Sequence, residues 1–201
     1  MKQIRVVGVD VAFANFGMAK AIILSSNCVA VTDLKLLTTE ALNKKTVRRS
    51  SDDLRRAQEL ITPFTTYCLQ ADVVFAEVPH GSQQARSSWT LGISIGVLAS
   101  CPRNIIQVSA LEVKMATVGK KTASKEEMIE WAVAHHPDAP WLVRKGKLLA
   151  ANEHLADAVA AIYAGMETDE FKRMMAVLSH PIDGGDTARK NFKSKHFMQR
   201  R

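Results

Sequence analysis

The chain has 201 residues, a length typical of one folded domain of roughly 100 to 200 residues. Hydrophobic residues make up 47% and charged residues 23%, which fits a globular protein and excludes an intrinsically disordered one. The formal net charge of +7 favours a polyanionic partner, with an ordinary basic surface and a solubilising tail as the alternative.

The N-terminal third predicts strands followed by a helix. Apolar, β-branched runs separated by turn residues predict three antiparallel strands, over residues 4–11, 18–24 and 28–37. A basic, polar loop then covers residues 41–51. Ser50 and Asp53 have the spacing of a helix start, and this helix is predicted to end near Gln70.

The middle of the chain predicts alternating strands and helices. The wholly apolar run 73–76, closed by Glu77, is typical of a central strand that is buried on both faces. Periodicity predicts further elements, namely helices over 88–99 and 110–117 and a strand over 105–108. Ser124 and Glu127 form a capping box that predicts another helix through Ala134.

A loop over 135–147 is predicted before the last helices. Asn152 is predicted to cap a helix over 153–164, and a smaller helix over 169–178 follows. The whole pattern predicts an α/β fold, with a mixed five-stranded sheet flanked by helices, as one domain over residues 1–178. Residues 179–201 are predicted to be a basic, flexible tail.

One predicted helix has an apolar side that includes two glycines. The residues on it are Trp89, Gly92, Ile93, Gly96 and Val97. Glycines four positions apart allow another element to approach closely. That element is either the sheet of the same chain or a second subunit.

Three acidic residues are placed where a metal site needs them. Asp10 closes the first strand, Glu77 closes the central strand, and Asp157 lies on a late alanine-rich helix. Magnesium prefers oxygen ligands, and two ions about 4 Å apart would stabilise the attacking and leaving oxygens of a phosphodiester hydrolysis. Each acid alone has an ordinary alternative as a turn, strand-end or solvated residue, but their joint placement favours a hydrolytic site.

Four motifs resemble those of the RuvC family of Holliday-junction resolvases, which belong to the RNase H-like superfamily. The motifs are Gly8-Val9-Asp10 with Gly17, Phe75-Ala76-Glu77, residues 113–125, and His154-Leu155-Ala156-Asp157-Ala158. The resemblance covers nearly all of the chain up to about residue 166. Their order along the chain makes the match more specific than any single motif.

The resemblance implies an RNase H-like fold and a metal-dependent endonuclease that resolves four-way junctions or other branched DNA. It implies two Mg²⁺ ions per active site, for which Mn²⁺ can substitute, and a homodimer. The residues that it implies as metal ligands and catalytic residues are Asp10, Glu77, His154 and Asp157. The first motif departs from the family, which has Asp-Pro-Gly where this chain has Asp10-Val11-Ala12.

The resemblance also implies residues that contact DNA. Lys114 and Lys125 hold the positions of the family's junction-binding lysines, and Lys120 and Lys121 lie between them. A solvated lysine loop is the alternative. His80 occupies the place of an aromatic wedge, where it would stack on a base or be an ordinary loop histidine.

Glu153 and His154 both lie within one helical turn of Asp157, so spacing permits either as the fourth site residue. The direction of the core is defined by Leu155, Val159 and Ile162. At about 100° per residue, His154 lies between that direction and Asp157, whereas Glu153 lies beyond Asp157. Magnesium chemistry favours the carboxylate, but the helix geometry and the family resemblance favour His154.

Two other functions are compatible with the sequence. Another RNase H-like nuclease would act on RNA in hybrids, process RNA or trim 3′ ends, although trimming enzymes show an Asp-x-Glu motif that Asp10-Val11-Ala12 lacks. A non-catalytic protein that binds branched DNA is less favoured, because the three acids are retained.

The remaining sequence signals concern thiols and location. Three cysteines lack any spacing suitable for zinc and are predicted to be reduced, buried thiols; they are Cys28, Cys68 and Cys101. The sequence shows neither a secretory signal nor the roughly 20 apolar residues needed to span a bilayer. We therefore expect a cytoplasmic protein without membrane contact.

Overall fold

The computed structural model describes residues 3–25, 28–43, 45–78, 81 and 83–179. The strands in this part of the chain are β1 (Ile4–Asp10), β2 (Asn15–Ser25), β3 (Cys28–Thr38), β4 (Val73–Glu77), β5 (Ile105–Val108), β6 (Val143–Arg144) and β7 (Lys147–Leu148). The helices are α1 (Arg49–Cys68), α2 (Ala85–Ala99), α3 (Ala110–Ala116), α4 (Lys125–His135), α5 (Asn152–Glu167) and α6 (Asp169–Ser179).

Five strands form one mixed sheet, as the sequence predicted. Their order is β3-β2-β1-β4-β5. The first three strands pair antiparallel, because only a few residues separate them along the chain, whereas β1, β4 and β5 pair parallel across helical connections. The apolar strand β4 lies between two neighbours and is buried, which explains why its sequence is continuously hydrophobic.

Helices cover both faces of the sheet, and successive residues of β1 point to opposite faces. Val7 and Val9 pack in one core cluster with Leu60 and Phe64 of α1. The other face forms a second cluster, which includes Ile4, Val6, Val159 and Ile162. The α5 helix is the central element of that second face, since it also contacts β2, β4, α3 and α4.

Two predicted helix starts are wrong, and one is confirmed. The α1 helix begins at Arg49 without a side-chain cap, so Ser50 and Asp53 lie within its first turns. Ser124 caps α4 as predicted, with its hydroxyl accepting from the Glu127 amide at 3.2 Å. At α5 the cap position is Ala151, and Asn152 is the first helical residue.

The predicted loop over 135–147 contains ordered structure. Strands β6 and β7 form a two-stranded hairpin that the sequence analysis did not anticipate. Its turn consists of Lys145 and Gly146, both with positive φ, at 51° and 75°. Glycine adopts this conformation without steric cost, which allows the tight reversal.

The glycines of α2 do not pack against the sheet, so that interpretation of the sequence is wrong. A Cβ added at Gly92 or Gly96 would meet no atom within 4 Å. The sheet side of α2 is instead formed by Ser94, Val97 and Leu98. Gly92 and Gly96 therefore lie on the helix's outer, exposed face.

The cysteines differ in their environments. Cys68 is buried as predicted, Cys101 is half-buried, and Cys28 is exposed, contrary to the expectation. In the described ranges, none of the helices combines the length and apolarity that crossing a membrane requires. The predicted tail lies, apart from Ser179, outside the described residues.

Candidate active site

The sheet directs two of the predicted acids to the same side. Residues 4, 6 and 8 of β1 face α5, so the alternation of a strand directs Asp10 to that face too. In β4, Val73 and Phe75 belong to the same cluster, which directs Glu77 there as well. Asp10 and Glu77 are register partners of neighbouring parallel strands, so both carboxylates stand at one sheet edge.

Glycines allow α5 to approach this edge closely. A Cβ at Gly17 would overlap the carbonyl oxygen of His154, and one at Gly8 would overlap that of Ala158. Gly17 is also the register partner of Asp10 across β1 and β2. Because glycine has no side chain, the first turns of α5 pack directly against the strand ends that hold the acids.

His154 contacts Asp10 directly. Its Nδ1 lies 2.7 Å from Asp10 Oδ2, and both side chains are 17% exposed. The hydrogen bond to Asp10 raises the pKa of His154, against the opposing effect of burial. Its other ring nitrogen, Nε2, lies 3.3 Å from Glu153 Oε1. The imidazole is therefore held between two carboxylates, which favour its protonated form.

The other two acids are strongly perturbed. Burial, and then repulsion from Asp157 and Asp10, raises the pKa of Glu77 to about 7. Burial, and then repulsion from Asp10, raises the pKa of Asp157 to about 7. Carboxylates that repel one another in a poorly solvated place are typical of functional sites, because a bound cation relieves the repulsion.

The donors suit a hard divalent cation by their chemistry. Carboxylate oxygens from Asp10, Glu77 and Asp157 are the ligands that Mg²⁺ prefers. As the side chains stand, no group of three or more potential metal ligands within the described residues surrounds a common point. The residues thus fit a cation in charge and ligand type.

Two of the predicted DNA-contacting lysines lie near these acids. The charge of Lys114 lowers the pKa of both Glu77 and Asp157, so its side chain lies near these acids. Lys125 Nζ forms an ion pair with Glu153 Oε2 at 2.8 Å. Lys125 therefore contacts the first turn of α5, and the Glu153 carboxylate is engaged in this ion pair.

Among the described residues, the other two predicted lysines form no ion pair with the acids of the site. Lys120 Nζ pairs with Glu127 Oε1 at 2.7 Å, and Lys121 is exposed. His80 lies outside the described residues, as does Pro79 before it.

An anchor between α1 and α2 was not evident from the sequence. Arg86 on α2 donates two hydrogen bonds to the Asp53 carboxylate, from Nη1 at 2.5 Å and from Nη2 at 2.6 Å. The Trp89 indole donates a third, at 3.0 Å. Asp53 is buried, so this pairing fastens the start of α2 to α1. The available signal was an acid at a helix position that faces the core.

Comparison with solved structures identifies proteins of similar fold. RuvC of Thermus thermophilus in complex with a Holliday junction substrate shares 16% identity, with 86% of this chain and 96% of that chain covered and a TM-score of 0.62. A second Thermus thermophilus RuvC structure gives 17% identity, the same coverage and a TM-score of 0.56. The yeast mitochondrial Holliday junction resolvase Ydc2 gives 10% identity, 81% and 77% coverage and a TM-score of 0.56.

Sequence comparison adds no closer relative, since neither a family model nor a curated protein matches the chain. The structural similarity extends over most of the chain and of each RuvC. The fold is therefore the RNase H-like fold of RuvC, as predicted.

Proposed function

We propose that this chain is a RuvC-like endonuclease that resolves Holliday junctions or other branched DNA by metal-dependent hydrolysis of phosphodiesters. The observation that supports it most is the placement of Asp10 and Glu77 on adjacent strand ends, with His154 and Asp157 of α5 over them. The resolvases of similar fold support branched DNA as the substrate.

The proposed metal ligands are Asp10, Glu77 and Asp157, with His154 as the fourth site residue. Two Mg²⁺ ions, when bound, would stabilise the attacking and leaving oxygens of the displacement. The raised pKa values of Glu77 and Asp157 support this role, because both carboxyls are ready to exchange a proton for a cation near neutral pH.

His154 has the geometry of a positioning and proton-transfer group. Its Nδ1 holds Asp10 Oδ2, which fixes that carboxylate and orients the imidazole ring. Its Nε2, which lies 3.3 Å from Glu153 Oε1 here, would on leaving that contact be the nitrogen that orients the attacking water or exchanges a proton with it. Asp10 Oδ1 is not part of this contact and would be the oxygen left to bind a cation.

The lysines would bind the DNA backbone. Lys114 faces the acids and would hold the phosphate at the site, while Lys121 would contact a flanking phosphate. Lys120 and Lys125 are paired with glutamates, so each would exchange a carboxylate for a phosphate on binding. His80 stays a candidate for base stacking.

We further propose a homodimer formed through the outer face of α2. This face is uncharged and consists of small or apolar residues: Ala85, Ser88, Trp89, Gly92, Ile95, Gly96 and Ala99. Trp89 is 56% and Ile95 42% exposed. Open space over two glycines permits close approach of an equivalent helix. A two-fold enzyme suits symmetric nicking of a two-fold junction.

The deciding experiment compares substrates. End-labelled four-way junction, flap, duplex and RNA/DNA hybrid are incubated with the protein in Mg²⁺ and separated on a denaturing gel. Paired symmetric nicks confined to the junction are expected. Preferential cutting of the hybrid would replace the proposal with another RNase H-like nuclease. Junction binding without any nick would indicate a non-catalytic DNA-binding protein.

A further inference from the structure

The β6–β7 hairpin, residues 143–148, concentrates positive charge at an exposed tip. It includes Arg144, Lys145 and Lys147 within four residues, and all three are exposed. Within the described residues, no carboxylate forms an ion pair with any of them, whereas Lys120 and Lys125 are both paired. The hairpin is therefore a compact cluster of unneutralised charge.

The hairpin is rigidly attached at its base. The buried Asn152 side chain accepts a hydrogen bond from the Leu142 amide at 2.9 Å and donates one to the Leu142 carbonyl at 2.8 Å. At the same base, the Leu149 amide donates a hydrogen bond to the Leu142 carbonyl at 3.0 Å. The Trp141 indole is bonded to the His136 carbonyl at 2.8 Å. These hydrogen bonds join the base of the hairpin to the start of α5.

The anchor also fixes the hairpin relative to the candidate active site. Asn152 is the first residue of α5, two positions before His154. The base of the hairpin is thus less than one helical turn from His154, which places the basic residues near DNA whose phosphate lies at Asp10 and His154. Because a duplex presents phosphates every few ångströms along both strands, a basic projection here meets more than one of them.

The two faces of the hairpin differ in chemistry. Val143 pairs with Leu148 across the hairpin, and Arg144 pairs with Lys147. Paired residues share one face of a two-stranded ribbon, so one face is apolar and the other is basic. Val143 is 56% and Leu148 44% exposed. A ribbon with a basic face suits a DNA groove lined by phosphates.

We infer that the β6–β7 hairpin is a second DNA-binding element, which holds the phosphate backbone of the arm that leaves the active site. The inference rests on the proposed function, because it takes branched DNA as the substrate. Arg144 and Lys147 bind phosphates from the basic face, and Lys145 binds one at the tip. The hairpin thereby extends the contact beyond the lysines of α3 and α4.

The test measures junction binding in EDTA, which requires no cleavage. The variant Arg144→Gln/Lys147→Gln is compared with Lys172→Gln/Arg173→Gln, which removes the same charge from α6 at the far end of α5. The hairpin variant is expected to bind roughly ten- to a hundredfold more weakly and to lose about 2 from the slope of log K against log salt. The α6 variant is expected to match the wild type.

A second variant, Lys145→Asn, covers the case in which the first one does not fold. Asparagine tolerates positive φ, so the turn is preserved while one charge is lost, and the slope should fall by about 1. Salt slopes equal to those of the α6 variant would overturn the inference. Wild-type binding without any nick in Mg²⁺ would instead refute the proposed function, while the salt slopes would still decide the hairpin's role.

Discussion

His154 Nδ1 lies 2.7 Å from Asp10 Oδ2, although the two residues are 144 positions apart in the chain. The contact joins the first turn of α5 to the end of β1. Gly17 makes it possible, because any side chain there would overlap the backbone of His154. The imidazole thus belongs to the acidic site, and the neighbouring Glu153 contacts its Nε2 at 3.3 Å while it forms an ion pair with Lys125.

His154→Ala is expected to lower the rate of junction cleavage roughly tenfold to a thousandfold, the usual range for loss of a proton-transfer or positioning group. Glu153→Ala is expected to have a mild effect, because that carboxylate is engaged by Lys125. Single-turnover rates at saturating enzyme measure both. A severe defect in Glu153→Ala beside near-normal cleavage by His154→Ala would overturn the assignment.

Asp10→Asn and Glu77→Gln are each expected to abolish cleavage while junction binding stays intact or becomes tighter. Removing a negative charge removes a metal ligand and also removes repulsion of the phosphate. Cleavage and gel-shift affinity are measured in parallel, with Glu130→Gln on the exposed side of α4 as the control. Wild-type cleavage by either site variant would refute the proposed ligands.

The sheet and the direction of its acids were predictable from sequence because they depend on local patterns. Apolar runs that end in Asp10 and Glu77 predicted two strand ends, and the buried positions Leu155, Val159 and Ile162 are confirmed as the core side of α5. The contact between His154 and Asp10 follows that helix geometry. The order of the strands was not predicted, because the apolar runs alone do not determine which strands are neighbours.

Features that depend on contacts between residues far apart in the sequence were not predictable. Ser50 and Asp53 have capping spacing, but burial of Asp53 against Arg86 and Trp89 decides its role instead. Asn152 resembles a cap, yet its side chain satisfies the backbone of Leu142, ten residues earlier. In each case a tertiary partner outweighs the local preference that the sequence shows.

Lys114→Ala and Lys125→Ala are expected to weaken junction binding, and each should lower the salt slope by about 1 for one lost phosphate contact. Lys114→Ala should have the larger effect on affinity, because Lys125 must first leave Glu153. Lys172→Ala is the control, since it removes a lysine paired with Glu167 on another surface. Unchanged affinity and slope in both variants would return these lysines to an ordinary solvated loop.

Ile95→Glu is expected to convert the proposed dimer to a monomer. The side chain is 42% exposed, so the substitution leaves the core intact while it places a charge in the α2 interface. Val177→Glu, at a 74% exposed position of α6, is the matched control. Light scattering coupled to gel filtration gives the mass of each variant. A wild-type monomer at micromolar concentration, or a dimeric Ile95→Glu protein, would contradict the proposed interface.

The raised pKa values at the site lead to a prediction about stability. Glu77 and Asp157 have pKa values of about 7 in the folded state, against ordinary values of 4.5 and 3.8. Between about pH 4 and 7, the folded protein therefore binds protons that the unfolded chain releases. The contribution of these two carboxyls to the free energy of unfolding consequently falls as pH rises through 7. His154, whose pKa is also raised, acts in the same direction.

In EDTA at pH 8, the variant Glu77→Gln/Asp157→Asn should consequently be more stable than the wild type, by about 1–3 kcal/mol. At pH 4 the difference should nearly vanish, because both carboxyls are then protonated in the folded wild type. Mg²⁺ at pH 8 should raise the melting temperature of the wild type and leave the variant unchanged, since binding to the folded state alone stabilises it. Thermal unfolding followed by circular dichroism measures all three. Equal responses to Mg²⁺ in the two proteins would show that these carboxylates do not hold the metal.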